Sequence, residues 1–115
     1  MSNKIMKNIE TAKILSLKEL VNYQEGQIVS KTLVQNQSVS ITLFAFDKDE
    51  EISTHASHGD AMVCVLDGLA QVTIGGEKYE VGAGETIVMP AEVPHAVFAL
   101  EKMKFMLTVV FPASN

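Results

Sequence analysis

The sequence predicts an all-β sandwich or barrel that is preceded by a short helix. Three observations favour this class: many short segments alternate apolar and polar residues, turn signals recur about every ten residues, and helical spacing occurs in one segment near the N-terminus. A chain of 115 residues is long enough for one domain with its own core. We therefore predict an N-terminal extension over residues 1–26 and a barrel over residues 27–115.

The predicted helix lies in the extension. Ser16 and Glu19 have the spacing of a capping box, in which both side chains accept backbone N–H groups at a helix start. Leu17, Leu20 and Val21 would then share one face. These residues predict a short helix that ends near Tyr23.

A period of two begins at Gln27 and continues through most of the chain. Residues 27–34 and 39–46 alternate as two strands, and Asn36-Gln37 marks the hairpin tip between them. Further strands are predicted over 61–66, 70–74, 78–81, 86–89, 95–100 and 104–111. Asp67-Gly68 and Gly75-Gly76 are strong turn signals between neighbouring strands.

Composition limits the classes of partner. The net charge is −5 and no run of Lys or Arg stands out, so the chain lacks the basic surface that nucleic acid requires. No apolar run reaches the length of about eighteen residues that a membrane helix needs. The first ten residues lack the apolar centre of a secretory signal, so we expect a cytoplasmic protein. The single cysteine, Cys64, lies within an apolar strand and suits a small buried side chain.

All three histidines lie where a loop enters a β-rich segment. His55 and His58 precede the strand that begins at Ala61, and His95 opens a later strand after Pro94. This placement predicts a shared site at one mouth of the barrel. The alternative is that each ring is a structural group, hydrogen-bonded to a backbone carbonyl and remote from any ligand.

The histidine segments resemble the two motifs of the cupin superfamily, whose members are double-stranded β-helix (jelly-roll) barrels. The second family motif, G-x5-P-x-G-x2-H-x3-N, is matched by Gly84, Pro90 and His95, with Glu92 in place of its glycine and Ala99 in place of its asparagine. The first motif, G-x5-H-x-H-x3-4-E-x6-G, is matched by His55 and Gly68. The resemblance covers roughly residues 27–111.

Two departures from the first motif affect the site. Ala61 stands where the family has a metal-binding glutamate, and Ser57 stands where it has the second histidine. His58 is one residue further on, and an extended backbone sends residues 55 and 58 to opposite faces. His58 therefore needs a turn or bulge near Gly59 to reach the site, and the same is true of the neighbouring carboxylate of Asp60.

The resemblance implies that His55, His58 and His95 hold a divalent transition metal such as Zn, Fe, Ni or Mn. The implied function is a metal-dependent enzyme of dioxygenase or isomerase type that acts on a small organic substrate. The alternative is a non-catalytic cupin that binds or senses a small ligand and has lost the metal. We found no convincing acid–base pair beside the histidines, since Glu77, Tyr79 and Glu92 lie on predicted turns or edges.

Two further expectations concern the barrel's interior and its surroundings. Apolar side chains would either fill the core or line a cavity for a small molecule; they are Met62, Met89, Phe98, Met103, Phe105 and Met106. We also predict a symmetric homodimer, because small jelly-rolls expose strand edges. The apolar residues of the extension, or an edge strand, would pack on the second copy; the former are Ile5, Met6, Ile9, Ile14 and Leu15.

Overall fold

The structure is a computed structural model that describes residues 5–113. It contains nine strands: β1 (Ile28–Gln35), β2 (Val39–Phe46), β3 (Glu51–His55), β4 (Asp60–Asp67), β5 (Leu69–Ile74), β6 (Glu77–Gly82), β7 (Thr86–Met89), β8 (His95–Ala99) and β9 (Met103–Val110). A 3-10 turn at Leu17–Leu20 precedes them. The predicted all-β class is confirmed.

The strands form two antiparallel sheets. One has the order β1-β2-β9-β4-β7 and the other the order β3-β8-β5-β6. Strands that are neighbours in space are often distant in sequence, as β9 lies between β2 and β4. This crossed arrangement is that of a jelly-roll rather than a meander, and it brings segments from both halves of the chain to one mouth.

The main core lies between the two sheets. Alternate residues of β4, Ala61, Val63 and Val65, are almost fully buried, as period-two patterning predicts for a strand with one inward face. Phe105 on β9 is also buried and stacks on Phe44 with ring centroids 5.0 Å apart. Because aromatic rings bury large apolar areas, this cluster anchors the sheets at the centre of the barrel.

The N-terminal extension covers part of the outer face of the five-stranded sheet. Val21 is buried there against Leu33 and Leu43, in a second apolar cluster that Ile9, Leu17, Leu20 and Tyr23 also join. The segment is fixed by the Lys7 N–H, which donates to the Leu33 carbonyl at 2.8 Å. Part of the extension thus packs on its own barrel, whereas Ile5, Met6 and Ile14 are exposed; residues 1–4 lie outside the described part.

The predicted N-terminal helix is only a single 3-10 turn. The backbone N–H of Glu19 donates to the Ser16 carbonyl at 3.0 Å, but the Ser16 side chain makes no cap hydrogen bond. The prediction of a capping box was wrong. Leu17 and Leu20 reach the second cluster from a short turn, so a longer helix is not needed to bury them.

The predicted turns are present: Asn36-Gln37 and Gly75-Gly76 close hairpins, whereas Asp67-Gly68 carries the chain sharply from one sheet to the other. At Gly68, φ is +80°, and a Cβ there would lie 2.0 Å from the Lys102 carbonyl oxygen, so only glycine fits. The adjacent carboxylate of Asp67 accepts a 2.5 Å hydrogen bond from the Tyr23 hydroxyl. This contact ties the extension to the β4–β5 turn. Within residues 5–113, no helix is long and apolar enough to cross a membrane.

Candidate functional site

His55 and His95 form the centre of the candidate site. They are cross-strand partners, His55 at the end of β3 and His95 at the start of β8. Their Nε2 atoms lie 3.2 Å apart, and the ring centroids are separated by 4.4 Å. The predicted convergence of two histidines forty residues apart therefore appears in the structure.

A β-bulge turns His55 into the barrel. Ile52 pairs with Val97 and His55 pairs with His95, so two residues of β3 oppose one residue of β8 between these pairs. Without the extra residue, Ile52 and His55 would face opposite sides of the strand, because their separation is odd. The bulge lies at residues 53–54, before His55, and not near Gly59, where we predicted a turn or bulge for His58.

Backbone carbonyls fix the orientation of both rings. The Nδ1 atom of His55 lies 3.0 Å from the Ser53 carbonyl oxygen, and that of His95 lies 3.2 Å from the Val93 carbonyl oxygen. A carbonyl only accepts hydrogen bonds, so each Nδ1 must carry the hydrogen. The Nε2 atom of each neutral ring then carries a lone pair, and the two Nε2 atoms lie 3.2 Å apart.

Two lone pairs at this distance would repel each other, and a proton or a metal ion between them would relieve the repulsion. A proton on one ring would give an N–H···N hydrogen bond, and a metal ion would accept both lone pairs. Nitrogen ligands at about 2.0–2.1 Å from one Zn²⁺ ion lie roughly 2.9–3.4 Å apart in tetrahedral or octahedral geometry. The observed separation of 3.2 Å falls in this range, and a ring N–H that donates to a carbonyl is the usual support of a metal-bound histidine.

The two rings differ in their surroundings. His95 is buried, with 2% of its surface exposed, whereas His55 is exposed at the mouth. Burial, with the neighbouring His55 as a smaller cause, lowers the pKa of His95 below its ordinary value. His95 therefore stays neutral to lower pH than a free histidine, and only a neutral ring can bind a metal ion.

An apolar pocket of about 240 Å³ opens beside the pair. Its wall on the five-stranded sheet includes Ala61, Met89 and Val109, which are register neighbours on β4, β7 and β9. Apart from the two histidines, Ser57 is the polar side chain among the described lining residues, and none of them carries a carboxylate. Sequence reasoning identified Ser57 only as a missing histidine and did not place it in a pocket.

A cavity of the kind suggested by the methionines is present, but only two of the six side chains named for it line it. Met89 and Phe105 line the pocket. Met103 is buried in the main core, and Met106 packs in the second cluster outside the barrel. Met103 and Met106 therefore serve packing, which is the first of the two interpretations of the methionines, and Met89 serves the second.

The structure does not bring His58 to the pair. Its imidazole is largely exposed, and Nδ1 lies 3.7 Å from a carboxylate oxygen of Glu92 on the surface. The grooves that His58 lines, beside Phe111 and Pro112, contain neither of the other histidines. A metal role for His58 stays a prediction that no contact described here supports.

Asp60 also stays outside the pocket. Its carboxylate accepts the backbone N–H of Ala91 at 2.8 Å, so it holds the loop before β8. Gly59 is packed so closely that a Cβ there would lie 2.5 Å from the Val110 carbonyl oxygen. No group of three or more His, Cys, Asp or Glu side chains within residues 5–113 is arranged to hold a metal ion. Among the described residues, the candidate site therefore contains two imidazole rings, those of His55 and His95.

A jelly-roll of this size with a histidine pair at one mouth defines a small barrel protein of the cupin type. The sequence model described as Cupin domain matches residues 42–111. The chain belongs to the cupin superfamily. Among curated proteins, none matches the chain.

Solved structures support the same assignment over nearly the whole chain. A conserved Streptococcus pyogenes protein of unknown function is 47% identical, with a TM-score of 0.96 over 99% of this chain and 100% of the other. A cupin superfamily protein from Desulfitobacterium hafniense is 27% identical, with a TM-score of 0.88 over 93% and 98% of the two chains. A cupin 2 conserved barrel domain protein from Leptotrichia buccalis is 42% identical, with a TM-score of 0.80 over 84% of this chain and 47% of the other.

Proposed function

We propose that His55 and His95 hold one divalent transition-metal ion, such as Zn, Fe, Ni or Mn, and that the protein uses it to bind a small organic molecule in the adjacent pocket. The observation that carries this proposal is the convergence of two Nε2 lone pairs at 3.2 Å, with both Nδ1 atoms facing carbonyl oxygens. Imidazole nitrogen is a good ligand for these metals. The cytoplasmic location stays a prediction.

Different residues would orient the two rings and contact the ligand. The Ser53 and Val93 carbonyls would hold the rings in the binding tautomer, and the apolar wall would exclude water from the ligand's body. A bound metal ion would supply Lewis-acid polarisation of a ligand oxygen. Since the described lining carries no carboxylate, the proposal is binding and polarisation, without an assigned proton-transfer step.

A cupin that binds its ligand without metal is the second candidate. The apolar lining favours it, because a pocket with few polar groups can bind a small molecule by burial alone. In that case the two rings would share a proton rather than a metal ion.

Metal loading of matched variants tests the proposal. We expect wild-type protein to retain about one ion per chain after incubation with Zn²⁺ or Ni²⁺ and desalting, as measured by elemental analysis. His55→Ala and His95→Ala should each lose affinity by more than the roughly 10- to 100-fold that removal of a ligand's supporting partner costs. His58→Ala is the matched control and should bind as wild type does, since its ring is on the surface.

The remaining outcomes are distinguishable. If His58→Ala also loses metal, the result would contradict the two-histidine proposal and support the three-histidine site predicted from the sequence. A wild-type protein that retains no metal after loading would contradict the proposal and leave the metal-free candidate. Where metal binds, its affinity should fall as the pH decreases through about 6.5 and below, because protons compete for the same nitrogens.

A further inference from the structure

The charge of the proposed site is not balanced by the protein. Two neutral imidazoles leave the full double charge of a divalent ion in place, and none of the described residues lining the pocket is a carboxylate. The nearest acidic groups in sequence are engaged elsewhere: Asp60 with the Ala91 N–H, and Glu92 beside His58 at the surface. An uncompensated charge beside an apolar cavity is costly, so a negative group is expected from outside the chain.

The wall that faces the histidine pair has room for such a group. Ala61 lies on the sheet opposite β3 and β8, with 1% of its surface exposed, and it lines the same pocket as the two rings. Its register neighbours Met89 and Val109 carry larger apolar side chains. The pocket thus has free space beside the small Ala61 side chain, and the neighbouring wall formed by Met89 and Val109 is apolar.

The dimensions of the pocket limit the ligand's size. Its volume of about 240 Å³ is roughly eight times the share of one water molecule in the liquid, and it lies below the range of about 300–1,000 Å³ typical of drug-sized ligands. Beyond the histidines, the described lining is apolar apart from the Ser57 hydroxyl, and its apolar part is aliphatic except for Met89 and the Phe105 ring. A compact apolar body therefore fits better than a polar one.

We infer that the ligand is a small monocarboxylate with an apolar body, which brings to the metal site the negative charge that the protein does not supply. This inference rests on the proposed function, since it needs the metal ion at His55 and His95. The carboxylate would lie between the pair and the Ala61 wall, and Ser57 is the lining hydroxyl available to donate a hydrogen bond to it. The apolar body would lie against Phe105, Leu107 and Val109.

Three small molecules that differ in charge and in apolar size test the inference on the wild-type protein. They are 3-methylbutanoate, its amide, which has nearly the same shape without the charge, and acetate, which has the charge without the body. We expect 3-methylbutanoate to bind Zn²⁺-loaded protein at least tenfold more tightly than the amide in titration calorimetry. It should also bind roughly tenfold or more tightly than acetate, because its extra carbons are buried. Neither acid should bind His95→Ala protein with comparable affinity.

Two substitutions of Ala61 provide an independent readout. Ala61→Glu would place a carboxylate on the wall, so it should bind Zn²⁺ at least tenfold more tightly than Ala61→Gln, which has the same size without the charge. Both variants should lose 3-methylbutanoate because the added side chain fills its place. Folding of each variant is checked by circular dichroism, and the probe comparison on wild type stands even if neither folds.

The outcomes separate the two proposals. If wild-type protein retains Zn²⁺ but binds the acid and the amide equally, the carboxylate inference is wrong and the metal site stands. If acetate binds as tightly as 3-methylbutanoate, the apolar body makes no contribution and the inference is again wrong. If no metal is retained, the proposed function itself fails, whatever the probes do.

Discussion

Glu92 occupies a backbone position that suits glycine. Its φ is +66°, in the left-handed region, and it stands where the second cupin motif has glycine. Its N–H donates to the Ser57 carbonyl at 2.8 Å, so the conformation of Glu92 joins the loop before β8 to the segment that lines the pocket. A side chain at this φ is strained, and the hydrogen bond holds it there.

We predict that Glu92→Gly stabilises the protein. Relief of left-handed strain is worth roughly 1–2 kcal/mol, and the added freedom of glycine in the unfolded chain costs about 0.5–1 kcal/mol. At the midpoints of these ranges the net gain is about 0.75 kcal/mol, or an increase of about 3–4 °C in Tm for a domain of this size. The lost contact with His58 should contribute little, because both side chains are largely exposed.

Thermal unfolding followed by circular dichroism measures the effect, with Glu92→Ala as the matched control. Alanine removes the same side chain atoms beyond Cβ but keeps the strain, so its Tm should stay close to that of the wild type. If Glu92→Gly melts no higher than Glu92→Ala, backbone strain at this residue is not what limits stability. Metal binding should be the same in all three proteins, because Glu92 does not line the pocket.

Two further predictions concern the surface of the barrel. Burial, followed by the hydrogen bond to Asp67, raises the pKa of Tyr23, so the folded state favours the protonated phenol, and this stability is lost as the pH rises above about 10. Tyr23→Phe should lower stability by about 1–2 kcal/mol at pH 7, and its Tm should fall less steeply than that of wild type at alkaline pH; parallel curves would refute the linkage. The predicted homodimer remains a proposal; of its two predicted surfaces, the extension exposes Ile5, Met6 and Ile14, and the edge strand β7 exposes Val88 at 51%, and the second surface is tested here. Light scattering should give twice the 12.5 kDa chain mass for wild type and a shift towards the monomer for Val88→Lys, whereas a monomeric wild type would refute the proposal.

The fold was largely predictable because its strands are regular where they are buried. The pattern in β4, with Ala61, Val63 and Val65 inward, can be read from the sequence and is present in the structure. Strand β3 was missed because Glu51–His55 is mostly polar and pairs on one side only, as an edge strand. The N-terminal helix was overestimated because helical spacing over a few residues also suits a 3-10 turn beneath a packed segment.

Strand alternation alone does not predict which side chains near β3 face the pocket. His55 faces the pocket and His58 lies at the surface, so the two rings are separated as expected, but not by strand parity, because β3 ends at His55 and β4 begins only at Asp60. Parity alone would also have separated His55 from Ile52, yet both line the pocket, because the chain bulges between them. A bulge depends on the register with β8, which is a long-range property that the residues of β3 do not specify by themselves.

Convergence of the two rings therefore combines a local and a long-range cause. Each imidazole is oriented by the carbonyl two residues before it, Ser53 for His55 and Val93 for His95, and this relation depends only on the nearby backbone. The register between β3 and β8 then sets the two rings opposite each other. If both Nδ1 atoms carry the hydrogen, the register brings two Nε2 acceptors to 3.2 Å, and this juxtaposition is the basis of the proposed metal site.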